Sequence, residues 1–281
     1  MTRINPAHLN SIIHTHYLAL KDKIILPQSS PYDIQTILTA PPKKLKEIAK
    51  WFESLPFEEQ KEYDSIKYAY DNFTTKKQEY DAYDLADTLG IDTCPYCNIN
   101  PTYTILDDTE HTLRPEFDHF YDKSTYPILA LSFYNLIPSC HTCNATLKGN
   151  KSISFHPYED DFDKVARFQL KLLDVSFYHS INGFEIELIS EDPKAKELIE
   201  LFKLNKRYKE HKDIILELIQ KQTVYNESYI DELYKQYEGT FFNNREDIIR
   251  HISCGYVTSH EIHKRPLSKL IKDISEELGL T

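Results

Sequence analysis

Two Cys-x2-Cys pairs constrain this chain more than any other feature: Cys94 and Cys97 in TCPYCN, and Cys140 and Cys143 in PSCHTCNATLKG. Each pair makes a tight turn that aims two sulfurs at one point, and four thiolates close a tetrahedral zinc site with no open position. The 42 residues between the pairs are too many for a simple zinc ribbon and enough to carry an inserted unit. In a reducing compartment such pairs serve as metal ligands before disulfides. Nothing else in the sequence suggests redox work, which favours structural zinc over an iron–sulfur cluster. The fifth cysteine, Cys254, reads as a small buried hydrophobe.

Chemistry-bearing residues crowd the stretch between the pairs. Asp118 and His119 are adjacent in RPEFDHFYDKS, Asn135 lies in SFYNLIPSC, and Asn144 directly follows the last paired cysteine. An imidazole has the pKa to take a proton from water near neutrality, as phosphodiester hydrolysis requires. Aspartate and asparagine oxygens suit a hard divalent cation. Neighbours on a strand point to opposite faces, so Asp118 and His119 reach one site only at a strand end or turn. Lys148, one helical turn beyond Asn144, either reaches a phosphate or is a solvated helix lysine. His141, inside the second pair, reads as a tip residue near phosphate, and His156 as structural.

The order Cys-x2-Cys, Asp-His, Asn, Cys-x2-Cys-Asn-x3-Lys-Gly resembles the HNH, or ββα-metal, endonucleases. The wording DHFYDKSTYPILALSFYNLIPSCHTCNATLKG is similar to the HNH nucleases of Septu-type and retron-associated anti-phage systems, which work beside an ATPase partner. The match is specific from Cys94 to Lys151 and is looser through HPYEDDF and LFKLNKRYKEHKDII. The resemblance implies a base, His119, oriented by a hydrogen bond from Asn135. It also implies a catalytic Mg²⁺ or Mn²⁺ held by Asp118 and Asn144. The third motif position, often His, is here an asparagine that offers oxygen instead. The implied substrate is nucleic acid, DNA first and an RNA such as tRNA as the alternative. A rival reading is a non-catalytic zinc-knuckle adaptor for nucleic acid or protein, which has no need of all four of these residues.

The fold class expected is α+β and mostly helical. A ββα-metal core with its zinc knuckle at 91–160 is flanked by a helical region at 1–90 and by a β-hairpin with helices at 161–281. In PPKKLKEIAKWFESL, Leu45, Ile48, Ala49, Phe52 and Leu55 share one helical face, and Gly90 is a helix stop. TYTIL and HTLRPEFDHF, separated by the turn-like DDTEH, supply the two strands of the core. RFQLKLLDVSFY and HSINGFEIELI read as a hairpin with an Asn182-Gly183 turn signal. The Tyr-rich N-terminal helices read as packing before base stacking, and His14 with His16 as alternating neighbours on a strand face. The run KLNKRYKEHK is a solvated helix face or a phosphate contact.

Charge complicates the picture. The net charge is −11, and residues 91–165 hold 5 Lys+Arg against 11 Asp+Glu. A lone nucleic-acid binder ordinarily shows a basic excess, so weak intrinsic affinity, or a partner supplying the basic surface, is expected. The amphipathic segment from Pro266 to Leu278 is a candidate docking surface for it. No apolar run reaches the length of a membrane span, and the N-terminus lacks a secretory pattern, which places the chain in the cytoplasm.

Overall fold

The computed structural model describes residues 3–75, 78–107 and 111–280. They form two compact units whose chain segments interleave, Arg3–Asp92 with Thr102–Asp160, and Thr93–Pro101 with Asp161–Thr281. Helices dominate, and the described strands form three separate two-stranded antiparallel sheets. No helix among the described residues is long and apolar enough to cross a membrane.

In the first unit, the helices Leu9–Leu20, Pro42–Glu53, Asp64–Thr75 and Ala82–Leu89 carry the N-terminal segment. Pro42 opens its helix, where a missing N–H costs nothing, and Leu45, Ile48, Ala49 and Phe52 are buried along one stripe. Leu55 lies past its end. Asp81 and Asp84 cap the last of these helices reciprocally, and Gly90 ends it in the left-handed conformation that favours glycine. His14 and His16 sit on a helix, not a strand.

β1 (Ile105–Leu106) pairs with β2 (His111–Leu113), and β3 (Glu116–His119) pairs with β4 (Leu136–Ser139). This corrects the expected strand pairing. TYTIL contributes only a two-residue strand with exposed side chains, while the strand bearing His119 takes its partner from LIPS. The reason is burial: β4 is buried along its whole length and β3 nearly so, whereas both residues of β1 stay exposed. The turn expected in DDTEH falls mostly on 108–110, outside the described residues.

In the second unit, β5 (Ala166–Leu172) and β6 (Phe184–Ser190) pair over seven residues. Both free edges are closed by side chains. Asp273 and Glu277 accept the amides of Phe168 and Leu170 at 2.8 and 3.0 Å, and Asn205 bonds both backbone groups of Leu188. The connection is not the tight turn suggested by Asn182-Gly183, because residues 173–183 form a longer link with two 3₁₀ turns. Gly183 is required by proximity, since a Cβ there would lie 2.3 Å from the Phe177 amide nitrogen. The helix Ser268–Glu277 is buried from Ser268 through Ser275, so it is core and not a free docking face. Its Lys269 bridges Asp163 and Asp273 at 2.7 and 2.8 Å. Cys254 is exposed, against expectation, and adopts a left-handed conformation at a helix end.

Candidate functional site

The four paired cysteines are all buried and free of disulfides, and their sulfurs lie within 4.8 Å of one another. A tetrahedral zinc with bonds of about 2.3 Å separates its sulfurs by about 3.8 Å, so the cluster matches the ion's size with little movement. The chemistry fits as well, since four soft donors with no oxygen or open position suit a structural metal.

Local sequence explains how the first turn is made. The amides of Cys97 and Asn98 return to the carbonyl of Cys94 at 3.2 and 2.8 Å, and the Ile99 amide points at the Cys97 sulfur at 3.4 Å. Asn98 takes a left-handed conformation that asparagine tolerates. Its amide donates to Thr93 and to the Ile262 carbonyl, and its oxygen accepts from the Lys269 amide. Tyr208 donates its hydroxyl to the Cys97 carbonyl at 2.6 Å. That places the one aromatic of KLNKRYK in the core, bracing the turn, with no role on a surface. The second turn leads into a seven-residue π-helix, Thr142–Lys148, whose last i→i+5 bond runs from the Gly149 amide to the Asn144 carbonyl. Such wide turns are rare and recur at functional sites.

β3 carries the other candidates on two faces. Glu116 and Asp118, two residues apart, share a face, and His119 takes the opposite one. On the first face the Lys148 ammonium reaches the Asp118 carboxylate at 2.8 Å and the His119 carbonyl at 3.0 Å, with both side chains almost wholly buried. Lys148 is therefore neither a solvated lysine nor one open to phosphate. Asn144 donates to Glu116 at 2.8 Å, and His141 approaches the other Glu116 oxygen at 2.6 Å. That hydrogen bond, with the carboxylate's charge, raises the His141 pKa.

His119 lies at the strand end, buried against the Tyr70 ring with centroids 4.5 Å apart. Its Nε2 contacts the Ala130 carbonyl at 3.0 Å. A carbonyl only accepts, so Nε2 carries the proton and Nδ1 the lone pair in the neutral ring. Burial lowers the pKa to about 4, which keeps the ring neutral at pH 7. Asn135 does not reach the imidazole in the expected way. Its oxygen accepts from the Tyr121 amide, while its nitrogen donates to the carbonyls of Tyr121 and Leu129. Asn135 thus fixes the turn that presents Ala130, and the turn orients the histidine.

The N-terminal helices supply the mould for that loop. His16 contacts the Leu131 carbonyl at 2.9 Å, Ser132 donates to the Ile37 carbonyl at 2.7 Å, and Ile128 through Leu131 are fully buried. Sequence reading missed Glu116, Tyr70 and the Ala130 carbonyl. Glu116 had a signal, being two residues from Asp118 on one strand. Tyr70 and Ala130 had none, because only the tertiary fold brings them to His119. Comparison of the chain with family models, with curated proteins and with solved structures finds no match.

Proposed function

We propose that the chain is a metal-dependent endonuclease of the HNH type that hydrolyses phosphodiester bonds in nucleic acid. The observation that carries this reading is His119, a neutral imidazole with one nitrogen tied to Ala130 and the other bearing a lone pair. It ends a strand whose opposite face presents Glu116 and Asp118 to the helix bearing Asn144 and Lys148. The order strand, Asn135-bearing loop, strand, helix agrees with a ββα-metal core, and the four buried cysteines agree with its zinc knuckle.

His119 Nδ1 takes the proton from the attacking water, and the Ala130 carbonyl steadies the imidazolium that forms. Asn135 keeps that carbonyl in place. A hard divalent cation would be held by oxygens of Asp118, Asn144 and Glu116, of which Glu116 is added by the geometry. Such a cation supplies Lewis-acid stabilisation of charge on the phosphate when bound. The donor set suits it, and the Lys148 ammonium at Asp118 marks a place where the fold accepts a positive charge. A cation held by Asp118 would take the place that the Lys148 ammonium occupies.

The substrate is DNA, with an RNA such as tRNA as the alternative, and the working form is a complex with an ATPase in anti-phage defence. Support for a partner is the acidic charge, −11 overall. The test is cleavage of plasmid DNA and of tRNA with Mg²⁺ or Mn²⁺, by the chain alone and co-purified with proteins encoded beside it. Cation-dependent cutting by the complex is expected. An inert complex would leave the adaptor reading in its place, and full activity from the lone chain would remove the need for a partner.

A further inference from the structure

The C-terminal part of the second unit holds a feature that the nuclease reading does not use. The helices Glu227–Tyr237 and Arg245–Ser253 pack through a small core of Ile230, Ile248 and Ile252. Over that core lies an open groove of about 720 Å³ lined largely by aromatic rings. Tyr225 and Tyr229 lie nearly parallel, with centroids 5.8 Å apart and planes at 18°, and Phe241 stands 76% exposed at the margin. So much exposed flat apolar surface costs solvation, which makes it a candidate for recognition.

The groove continues into a second cavity of about 340 Å³ that shares Phe241, Phe242 and His251 and adds Arg250, Arg265 and Asp247. Here three cations gather on one ring: Arg250, Lys264 and Arg265 lie 5.5, 5.4 and 5.3 Å from the Tyr256 centroid. Asp247 pairs with Arg250 and Glu261 with Lys264, each at 2.8 Å. Arg265 instead donates to the Cys254 carbonyl, a neutral acceptor. On the aromatic side Lys221 lies 3.6 Å from Glu217. The cavity margin thus keeps a surplus of positive charge within an acidic protein.

We propose that this groove binds an unpaired nucleotide, with its base stacked against Tyr229 and Phe241 and its phosphate at Arg250 and Arg265. Aromatic rings offer flat faces to any base, and arginine pairs with phosphate in a planar, two-pronged way. The groove's volume falls in the range of small-ligand sites. A duplex hides its base faces and cannot use the rings, which commits the site to a nucleotide free in solution or within a single strand. This inference stands apart from the nuclease reading, because it is read by binding and not by cleavage.

The test uses the full chain carrying His119→Ala, so that cutting does not disturb the measurement. A fluorescent single-stranded oligonucleotide is titrated by anisotropy, with AMP and a duplex of the same length as competitors. Phe241→Ala and Arg265→Ala, both at exposed positions, should each weaken binding by about fivefold or more, the scale of one lost stacking or charge-assisted contact. Competition by AMP would assign the groove to free nucleotides, and competition by unlabelled strand alone would assign it to single strands. Either supports the proposal. Absence of binding, equal competition by duplex, or affinity unchanged in both variants would overturn it and leave the groove to a partner of other chemistry.

Discussion

Lys148→Met is the perturbation that probes the candidate site most sharply. Methionine keeps the length and apolar stem of lysine and removes the charge, so the loss is electrostatic. Lys148 and Asp118 side chains are 2% and 3% exposed and meet at 2.8 Å. Breaking a buried pair from one side leaves a carboxylate away from water, which costs about 3–5 kcal/mol. Unfolding entropy of about 2.1 cal/mol/K per residue, over 281 residues, is about 0.6 kcal/mol per degree, so the melting temperature should fall by about 5–8 °C. The assay is thermal unfolding of wild type, Lys148→Met, Asp118→Asn and the double variant. The double variant should recover much of the loss, because the buried carboxylate charge is then gone. Mg²⁺ or Mn²⁺ should restabilise Lys148→Met more than wild type, since the cation no longer competes with the ammonium for Asp118. A shift under about 1 °C, or strict additivity of the two single changes, would refute the reasoning.

Two further outcomes follow from the buried groups. Purified protein should hold one zinc per chain on Cys94, Cys97, Cys140 and Cys143, and Cys94→Ser should lose the metal and strongly destabilise the fold; metal analysis finding none, with a variant that melts like wild type, would reject the site. His16 is buried with its pKa lowered to about 4 by desolvation, below its unfolded value near 6.5. The unfolded chain therefore binds the proton more readily, so stability is full above pH 6.5 and declines as pH falls towards 4, by on the order of 3 kcal/mol from this group. His16→Phe should flatten that decline in unfolding free energy, and an unchanged pH profile would contradict the assignment.

Local patterns made the helices and the cysteine cluster legible. The stripe Leu45, Ile48, Ala49 and Phe52, the stop at Gly90 and the C-x2-C spacing depend on neighbours along the chain, and each is present. What depended on tertiary choice was not legible. LIPS carries a proline, which argues against a strand, yet it partners β3 because both are buried. Lys148 reads from the sequence either as a phosphate contact or as a solvated lysine, and the fold instead buries it against Asp118. Asn135 reads as a residue that bonds the histidine directly, yet its hydrogen bonds run to backbone groups of Tyr121 and Leu129 that no motif displays. The first ninety residues gave no functional hint, and they shape the loop that presents Ala130 to His119.

The most direct measurement compares phosphodiester cleavage by wild type and His119→Ala, each co-purified with the proteins encoded beside it and assayed with Mg²⁺ or Mn²⁺. The account predicts that wild type cuts, that His119→Ala does not, and that both carry equal zinc and bind nucleic acid alike. A His119→Ala protein that cuts as fast as wild type would contradict it.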